Sequence, residues 1–382
     1  MITLRYVALV GLPMAFLFAF SCQTPISPEN DGTSSPNFTW AVQYGTRGPD
    51  GLAVVNLDAA GNILVAGYQQ IYTSDVTTFS AGWTDVAFVA QYSPSGALRW
   101  ARRTNSSTSQ PDITYGNSSG TIWRGVASDG GNNVYVVGEF RDTIRADTFQ
   151  YASRGGSDIL LAKYSANGTL LWMQPFGGKL HDAATAIAIN NAGTIFITGY
   201  FTDSLRIGNT LLTGRNGSRD MFLCAMTGDG TLLWVRSGGG GQEDEGRRLV
   251  LDKRGNIYLV GAFTGGATFQ SGGEIFSSDR DHPFLARYTP DGTLTLIREI
   301  GGSANDVTAA FPALDGDGNI ILAGAFTGGA TFDTVNFAAL SSNYQTNSYI
   351  AKFTSELKVL WAKRYAAPSP SFNDLAIDTQ GN

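Results

Sequence analysis

The sequence is poor in the residue types that most often build catalytic and metal centres. Its 382 residues include only two histidines and two cysteines. His181 and His282 do not occupy equivalent places in the chain, and no spacing of cysteine or histidine resembles a zinc site. If Cys22 carries lipid, Cys224 has no partner and a disulfide framework is excluded. No G-x-S-x-G elbow supports a Ser-His-Asp triad. We therefore expect a protein that is not an enzyme and requires no cofactor.

Charged residues are also scarce. They make up 15% of the chain, with 26 basic and 32 acidic residues. Nucleic-acid binding depends largely on Lys and Arg contacts with phosphate, and an acidic chain without a basic cluster cannot supply them. Nucleic acid is therefore not an expected partner.

The N-terminus resembles the leader of a bacterial lipoprotein. One positive charge, Arg5, precedes an apolar run over residues 6–20. The run is too short for a transmembrane helix and fits the h-region of a secretory signal. It ends in Ala-Phe-Ser followed by Cys22, which resembles the lipobox in which the cysteine receives lipid. We predict a signal peptide over residues 1–21 and lipidation of Cys22; an ordinary signal cleaved nearby is the alternative.

A polar tether follows the predicted lipid anchor. Residues 22–37 are rich in Pro, Ser, Thr, Asn and Gly, a composition that cannot bury a core and stays flexible. Gln23 stands where inner-membrane lipoproteins of enteric bacteria carry aspartate. We therefore predict an exported protein, held by its lipid in the outer membrane or at the cell surface of a Gram-negative bacterium.

The main signal is an internal repeat of 61 to 63 residues, after a first interval of 71. One repeated element is a hydrophobic segment such as GNIYLVG, with copies that begin at Gly61, Asn132, Gly193, Gly255 and Gly318. A second element ends in tryptophan, or in leucine in the fourth unit, at Trp100, Trp172, Trp234, Leu296 and Trp361. A repeat of this length indicates an array of similar structural units.

Each unit is predicted to form four antiparallel strands. Gly and Asn at the tight turns supply the positive φ that hairpins need, and β-branched and aromatic residues fill the runs between them. Four strands repeated about every 60 residues are typical of a β-propeller, whose blades pack radially around a channel. We predict an all-β propeller over residues 38–382, with five complete repeats and partial ones at both ends.

The partial repeats leave the blade number open. A strand around residues 38–44 resembles the fourth strand of a preceding blade. The chain ends at Gly381 and Asn382, inside the first turn of a sixth repeat. This pattern predicts that the propeller is truncated at its C-terminus. The alternative is a five-bladed ring with both end strands left as an overhang.

The repeat resembles the bacterial SBBP (seven-bladed β-propeller) repeat. The residues that carry the resemblance in one unit are Asp158, Lys163, Tyr164, Trp172, Gly177, Gly178, Asp182, Gly193 and Gly199. The resemblance extends from about Trp40 to Asn382, although the chain has five full units rather than seven. It implies an extracytoplasmic, often cell-surface protein, and it offers no catalytic residues to carry over.

Acidic residues provide the candidate metal sites. One aspartate recurs at the entrance to the innermost strand, as Asp50, Asp182, Asp244 and Asp306. These residues form either a carboxylate ring that holds a cation or caps that bind backbone N–H groups of their own loops. The second interpretation is favoured, because a feature present in nearly every blade is usually architectural. Next to a run of four glycines, the best candidates for a calcium site are Glu243, Asp244 and Glu245. A solvated charge cluster is the favoured alternative for this run.

The candidate binding residues are aromatics that do not follow the repeat and two arginines that occupy equivalent places in it. They are Tyr72 and Trp83 in the first long loop, Tyr115 in an insertion, and Arg124 and Arg247 near the start of innermost strands. In a propeller the blade-to-blade connections and the loops between second and third strands share one face, and here both are long and variable. Such loops on a rigid scaffold usually carry binding sites. We predict a binding or scaffold module for an unidentified protein or glycan. The rivals are a propeller-scaffold hydrolase with a metal at the channel mouth and a purely structural envelope protein.

Overall fold

A computed structural model of the chain describes residues 50–75, 80–106, 120–269, 275–276, 281–301, 306–338, 346–366 and 375. Across these residues every regular element is a β-strand, and none forms a helix long and apolar enough to cross a membrane. The predicted signal peptide, Cys22, the tether and Tyr115 lie outside the described residues, as do the partial repeats at both ends. The predictions for those segments stay predictions.

The strands form five four-stranded antiparallel blades, as the sequence predicts. Blade I and the short strand that follows it comprise β1 (Asp50–Leu57), β2 (Ile63–Asp75), β3 (Ser80–Tyr92), β4 (Leu98–Arg103) and β5 (Asn105–Ser106). Blade II comprises β6 (Thr121–Ser128), β7 (Val134–Phe140), β8 (Thr143–Ala146), β9 (Phe149–Ala152), β10 (Asp158–Tyr164) and β11 (Leu170–Phe176). Blade III comprises β12 (Ala183–Ile189), β13 (Ile195–Thr202), β14 (Ser204–Ile207), β15 (Thr210–Thr213), β16 (Arg219–Met226) and β17 (Leu232–Gly240).

The last two described blades follow the same plan. Blade IV comprises β18 (Asp244–Leu251), β19 (Ile257–Thr264), β20 (Ala267–Phe269), β21 (Ile275–Phe276), β22 (Asp281–Tyr288) and β23 (Leu294–Glu299). Blade V comprises β24 (Asp306–Leu314), β25 (Ile320–Thr327), β26 (Ala330–Phe332), β27 (Val335–Phe337), β28 (Thr346–Phe353) and β29 (Val359–Ala366). In blades II to V the two short middle strands form a hairpin between the second and third strands of the blade.

The blades pack radially. Their first strands are neighbours at the centre, where β6 contacts β1 and β12, and β18 contacts β12 and β24. Apolar side chains from the facing sides of adjacent blades fill the space between them, in four clusters. Between blades II and III, for example, Val137 and Leu161 share a cluster with Ile197 and Phe222. This arrangement confirms the predicted β-propeller.

The two turns at one end of each blade are tight, as predicted. In the turn from β18 to β19, Asp252 Oδ1 accepts the N–H groups of Arg254 (2.9 Å) and Asn256 (2.8 Å). Asn256 Nδ2 in turn donates to Asp252 Oδ2 at 2.7 Å. Asp58 and Asp129 bond their own turns in the same way. The side chains thus satisfy the backbone groups of their own turns.

At the opposite end, the long connections are ordered as hairpins, although the sequence predicts only variable loops there. Each described hairpin bonds to the end of the preceding blade: β8 pairs with β5, β20 pairs with β17, and Arg206 in β14 bridges to Gly177. The backbones of the blade and the hairpin approach each other closely at Gly178 and Gly240. A Cβ atom at either position would overlap a carbonyl oxygen of the hairpin, so the approach requires glycine. The hairpins therefore clasp neighbouring blades together.

The repeated tryptophans also join neighbouring blades. Trp100 is only 7% exposed, and its Nε1 donates to the Ala166 carbonyl of blade II at 3.1 Å. A Cβ on Gly168, in the same turn, would lie 2.6 Å from the indole. Trp234 makes the same bond to the Pro290 carbonyl at 3.0 Å. These tryptophans belong to the packing between blades and not to a binding platform.

Candidate functional site

Every innermost strand carries a β-bulge at the same place near its start. The residues within the bulges of blades I to V are, in order, Ala53, Arg124, Thr185, Arg247 and Ala310. A bulge leaves one residue outside the regular ladder and re-aims its side chain, so the residue type can change without disturbing strand pairing. The register thus places Arg124 and Arg247 at equivalent positions, as the sequence indicates.

In blade II the bulged arginine pairs with a buried carboxylate on the adjacent strand. Arg124 Nε donates to Glu139 Oε1 at 3.1 Å, and its Nη2 donates to the same oxygen. Glu139 is only 5% exposed. Burial by itself would lower the pKa of the Arg124 guanidinium, but the charge and hydrogen bonds of Glu139 outweigh burial and the pKa is raised. The arginine therefore stays charged while part of its side chain faces solvent.

Two further ion pairs lie on blades III and IV. Arg247 Nε lies 2.6 Å from Glu245 Oε1, and Arg219 Nε lies 3.2 Å from Glu243 Oε2. The Arg219 guanidinium carbon also lies 4.4 Å from the centre of the Tyr200 ring, a cation–π contact. Tyr200 interacts electrostatically with these pairs and with the pair of blade II, so it connects them; burial raises its pKa.

These charged and aromatic residues form a single feature near the starts of the innermost strands, at the end of the blades that carries the clasp hairpins. We call it the mouth cluster, and its members are Arg124, Glu139, Tyr200, Arg219, Glu243, Glu245 and Arg247. It spans three consecutive blades, II to IV.

A cavity of about 240 Å³ opens beside the mouth cluster, between blades III and IV. Its lining residues are Arg219, Glu243, Asp244, Glu245, Arg247 and Thr264. The cavity brings together two features that are separate in the sequence analysis, the candidate binding residue Arg247 and the acidic run from Glu243 to Glu245. Because basic and acidic groups alternate around it, the cavity suits a ligand with several hydrogen-bonding groups.

The three acidic side chains of the cavity already have separate partners. Asp244 is 2% exposed, and its two carboxylate oxygens accept the N–H groups of Gly240 (2.7 Å) and Thr264 (3.3 Å). Glu243 and Glu245 are held by arginines. Within the described residues, no group of three or more His, Cys, Asp or Glu side chains is placed to hold a metal ion. The calcium site stays a prediction, and a cation there would have to displace existing partners.

Asp182 occupies in blade III the place of Asp244 in blade IV. Its Oδ2 accepts the N–H of Gly178 at 2.5 Å, and its Oδ1 accepts that of Thr202 at 3.1 Å. It thereby ties the end of one blade to the second strand of the next. Both aspartates act as loop caps, the interpretation that the sequence favours. The side chains of Asp50 and Asp306 lie outside the described residues.

The aromatic candidates belong to the first long loop. Tyr72 in β2 pairs with Trp83 in β3, on a hairpin that extends toward the same face as the mouth cluster. Their side chains fall outside the described part of the chain, as does the whole of Tyr115. A binding role for these three residues stays a prediction.

Three members of the mouth cluster are missed by sequence reasoning: Glu139, Tyr200 and Arg219. None belongs to a motif. Glu139 and Tyr200 share one register position in their second strands, where blades IV and V carry Ala262 and Ala325. A position-by-position comparison of the repeats could have found Glu139, the one charged residue at this position among the five described blades. It could not have found Tyr200, because blade I carries Tyr68 there.

The comparisons with known proteins agree with the fold. No family model matches the chain. The chain is similar to an uncharacterized WD repeat-containing protein of Acanthamoeba polyphaga mimivirus, at 21% identity over 406 residues. The match covers 85% of this chain but only 28% of that protein. WD repeats form propeller blades. Fold and comparison together define a repeat β-propeller.

Proposed function

We propose that the protein is a non-catalytic binding module that recognises a protein or glycan partner through the mouth cluster and the cavity beside it. The observation that carries the proposal is an asymmetry. The five blades share their turns and core, yet at the bulge position blades II and IV carry Arg124 and Arg247 while blades I and V carry alanine. Departures from a repeat on the loop face of a rigid scaffold are where recognition is usually located.

The chemistry of the cluster indicates the kind of partner. The cluster consists of three arginine–glutamate ion pairs and one tyrosine, and the exposed side-chain fractions of Arg219 and Glu243 are 45% and 64%. A surface of alternating charges orients a polar partner and speeds its approach more than it adds raw affinity. A hydrophilic protein surface or a glycan, both rich in hydrogen-bonding groups, fits this surface better than an apolar ligand does.

We further propose that the module works in the cell envelope as a lipoprotein. The leader that ends at Cys22, the polar tether over residues 22–37 and the resemblance to the SBBP repeat support this role. The similarity to a WD repeat-containing protein supports a scaffold that presents loops to a partner. In a Gram-negative host, Cys22→Ser is expected to move the protein from the membrane fraction to the soluble fraction. An unchanged membrane fraction would contradict lipid anchoring.

The test of recognition compares the full chain with Arg124→Ala/Arg247→Ala and with a matched control, Arg99→Ala. Arg99 lies at the tight-turn end, where it donates to Asn62 Oδ1 at 2.8 Å. Each protein is immobilised and probed with purified envelope glycans and with purified envelope proteins. We expect the double variant to lose at least about tenfold in affinity for the probes that the wild type retains, or about 1.4 kcal/mol, while the control does not. Equal retention by all three proteins, or turnover of a retained glycan, would contradict the proposal.

A further inference from the structure

Two carboxyl side chains that interact electrostatically are buried at the junction between blades II and III. Asp158 at the start of β10 is 1% exposed, and Asp182 just before β12 is 0% exposed. The two carboxyls lie against two adjacent glycines. A Cβ atom at Gly177 would lie only 2.6 Å from Asp158 Oδ1, so this position has no room for a side chain. The N–H of Gly178 donates to Asp182 Oδ2 at 2.5 Å. Two ionised carboxylates buried side by side repel each other and lack the solvation of water.

The next junction repeats this arrangement. Asp220 and Asp244, 4% and 2% exposed, occupy the corresponding positions between blades III and IV. Both carboxyls of this pair lie against Gly239. A Cβ atom at Gly239 would lie 2.1 Å from Asp220 Oδ1 and 3.0 Å from Asp244 Oδ2, so the two oxygens are close to each other. The paired carboxyls are therefore a product of the junction geometry and not an accident of one loop.

One carboxyl oxygen of the first pair has no hydrogen-bond partner among the described residues. Both oxygens of Asp182 accept backbone N–H groups, from Gly178 and Thr202. Asp158 Oδ2 accepts the N–H of Arg154 at 2.9 Å, whereas its Oδ1 is buried and has no hydrogen-bond partner among the described residues. A proton on Asp158 Oδ1 makes this atom a donor and removes one of the two negative charges.

The other repeats show what the junction requires at the position of Asp158. His282 in blade IV and Asn347 in blade V stand at the same register position. Both side chains can donate a hydrogen bond at neutral pH. In blade I the residue equivalent to Asp158 is Val86. The innermost strand of the following blade II begins with Thr121, where the innermost strands of blades III and IV have an aspartate. Two of the four polar copies thus carry a side chain that can donate, and the other two are Asp158 and Asp220. A protonated carboxylic acid is the donor that Asp158 can supply.

The surrounding charges do not neutralise the pair. Burial is the largest effect and raises the pKa of both carboxyls, that of Asp182 to about 7, and the negative charge of Asp203 adds to the rise at Asp182. The backbone N–H bonds oppose the rise at both residues, and the charge of Arg154 opposes it at Asp158. His181, the neighbour of Asp182 in the chain, is a further titratable group at the junction.

We propose that Asp158 and Asp182 share one proton, and that this proton is a pH-sensitive lock between blades II and III. With the proton bound, Asp158 Oδ1–H donates to the Asp182 carboxylate and the pair carries a single negative charge. When the proton leaves for solvent, two carboxylates face each other and the junction weakens. A carboxyl whose pKa is raised by folding stabilises the native state fully below its unfolded value of 3.8, and this contribution is lost as pH rises through about 7. The propeller is therefore more stable in mild acid than in mild alkali.

The experiment is thermal unfolding of the full chain in EDTA between about pH 5 and about pH 8, where this contribution declines. We expect the Tm of the wild type to fall by at least about 3 °C across the range. Asp158→Asn supplies an amide donor at every pH, so its Tm is expected to fall less and to exceed that of the wild type at the alkaline end. Two controls, Asp229→Asn in an exposed turn and His181→Gln beside the pair, are expected to keep the wild-type slope.

Several outcomes would overturn the proposal. One is a fall in Asp158→Asn as large as in the wild type, and another is loss of the slope in His181→Gln. A Tm at alkaline pH that calcium raises in the wild type but not in Asp158→Asn would assign the pair to a metal ion. If Asp158→Asn does not fold, infrared spectroscopy of Asp220→Asn, which lacks the second carboxyl pair, decides. A protonated-carboxyl band that disappears on passing from mild acid to alkali supports the shared proton, and its absence throughout refutes it.

Discussion

The junction between blades III and IV and the junction between blades IV and V are packed by different residue pairs. At the first, Trp234 lies on Gly292 in the turn from β22 to β23, and its Nε1 donates to the Pro290 carbonyl. At the second, Leu296 stands in place of the tryptophan and Leu357 in place of the glycine. Both residues of the pair change between the two junctions. The volume that is lost when tryptophan is replaced by Leu296 is supplied by the side chain of Leu357.

The space above the turn explains this exchange. A Cβ on Gly292 would lie 2.7 Å from the indole, so the tryptophan leaves no room for a side chain. Without the indole, Leu357 is buried at 3% exposure despite a φ of +60°, a conformation that costs a non-glycine residue about 1–2 kcal/mol. An arginine bonds the turn carbonyl at both junctions, as Arg236 and Arg298. The tryptophan–glycine pair can thus be replaced by a leucine–leucine pair, while the hydrogen bond from the arginine to the turn carbonyl is kept.

Breaking the pair at the first junction should have the largest effect. Gly292→Leu places a side chain into the indole of Trp234 and requires a leucine at a φ of +80°. Overpacking costs about 1–3 kcal/mol and the left-handed conformation about 1–2 kcal/mol. We expect a loss of about 3–4 kcal/mol in the free energy of unfolding, measured by urea denaturation.

The double variant Trp234→Leu/Gly292→Leu is the matched control for this prediction, because it copies the pair of the next junction. If the two residues form a unit, the double variant is more stable than the sum of the single losses predicts, with a coupling energy of at least about 1 kcal/mol. Additive losses would show that the two junctions differ for reasons unrelated to this pair.

The reverse change at the second junction should have an intermediate effect. Leu357→Gly removes a buried leucine, whose burial stabilises by about 1.5–3 kcal/mol, but it also relieves the left-handed backbone of about 1–2 kcal/mol. Because the two effects oppose each other, we expect a net loss of about 1 kcal/mol, and at most about 2 kcal/mol, by urea denaturation. A loss as large as that of Gly292→Leu would show that the backbone strain at this turn is negligible.

The same contrast explains which parts of the molecule could be predicted from the sequence. Strand order and tight turns could be predicted because residues such as Asp252 and Asn256 act within their own turn. The clasp hairpins could not, because the partner of β20 is β17, a strand of another blade whose register the repeat does not show. In the mouth cluster, Arg124 and Arg247 are found through their shared place in the repeat. Tyr200 is found only when three blades are assembled.

The smallest effect is expected at Trp361, the tryptophan of blade V. Its side chain is 36% exposed, and Lys363 Nζ lies 5.6 Å from the ring centre. Trp100, by contrast, is 7% exposed and donates to both Gln91 Oε1 (3.0 Å) and the Ala166 carbonyl. Since exposed apolar area contributes little, Trp361→Leu is expected to cost less than about 1 kcal/mol.

Trp100→Leu is the matched variant for comparison with Trp361→Leu. It is expected to cost about 2–3 kcal/mol, because it removes buried area and leaves the amide of Gln91 without its donor. Both losses are measured by urea denaturation of the full chain, with tryptophan emission recorded in the folded state. Equal losses at the two positions would mean that the indole of Trp361 is packed as tightly as that of Trp100, and would remove the distinction between them.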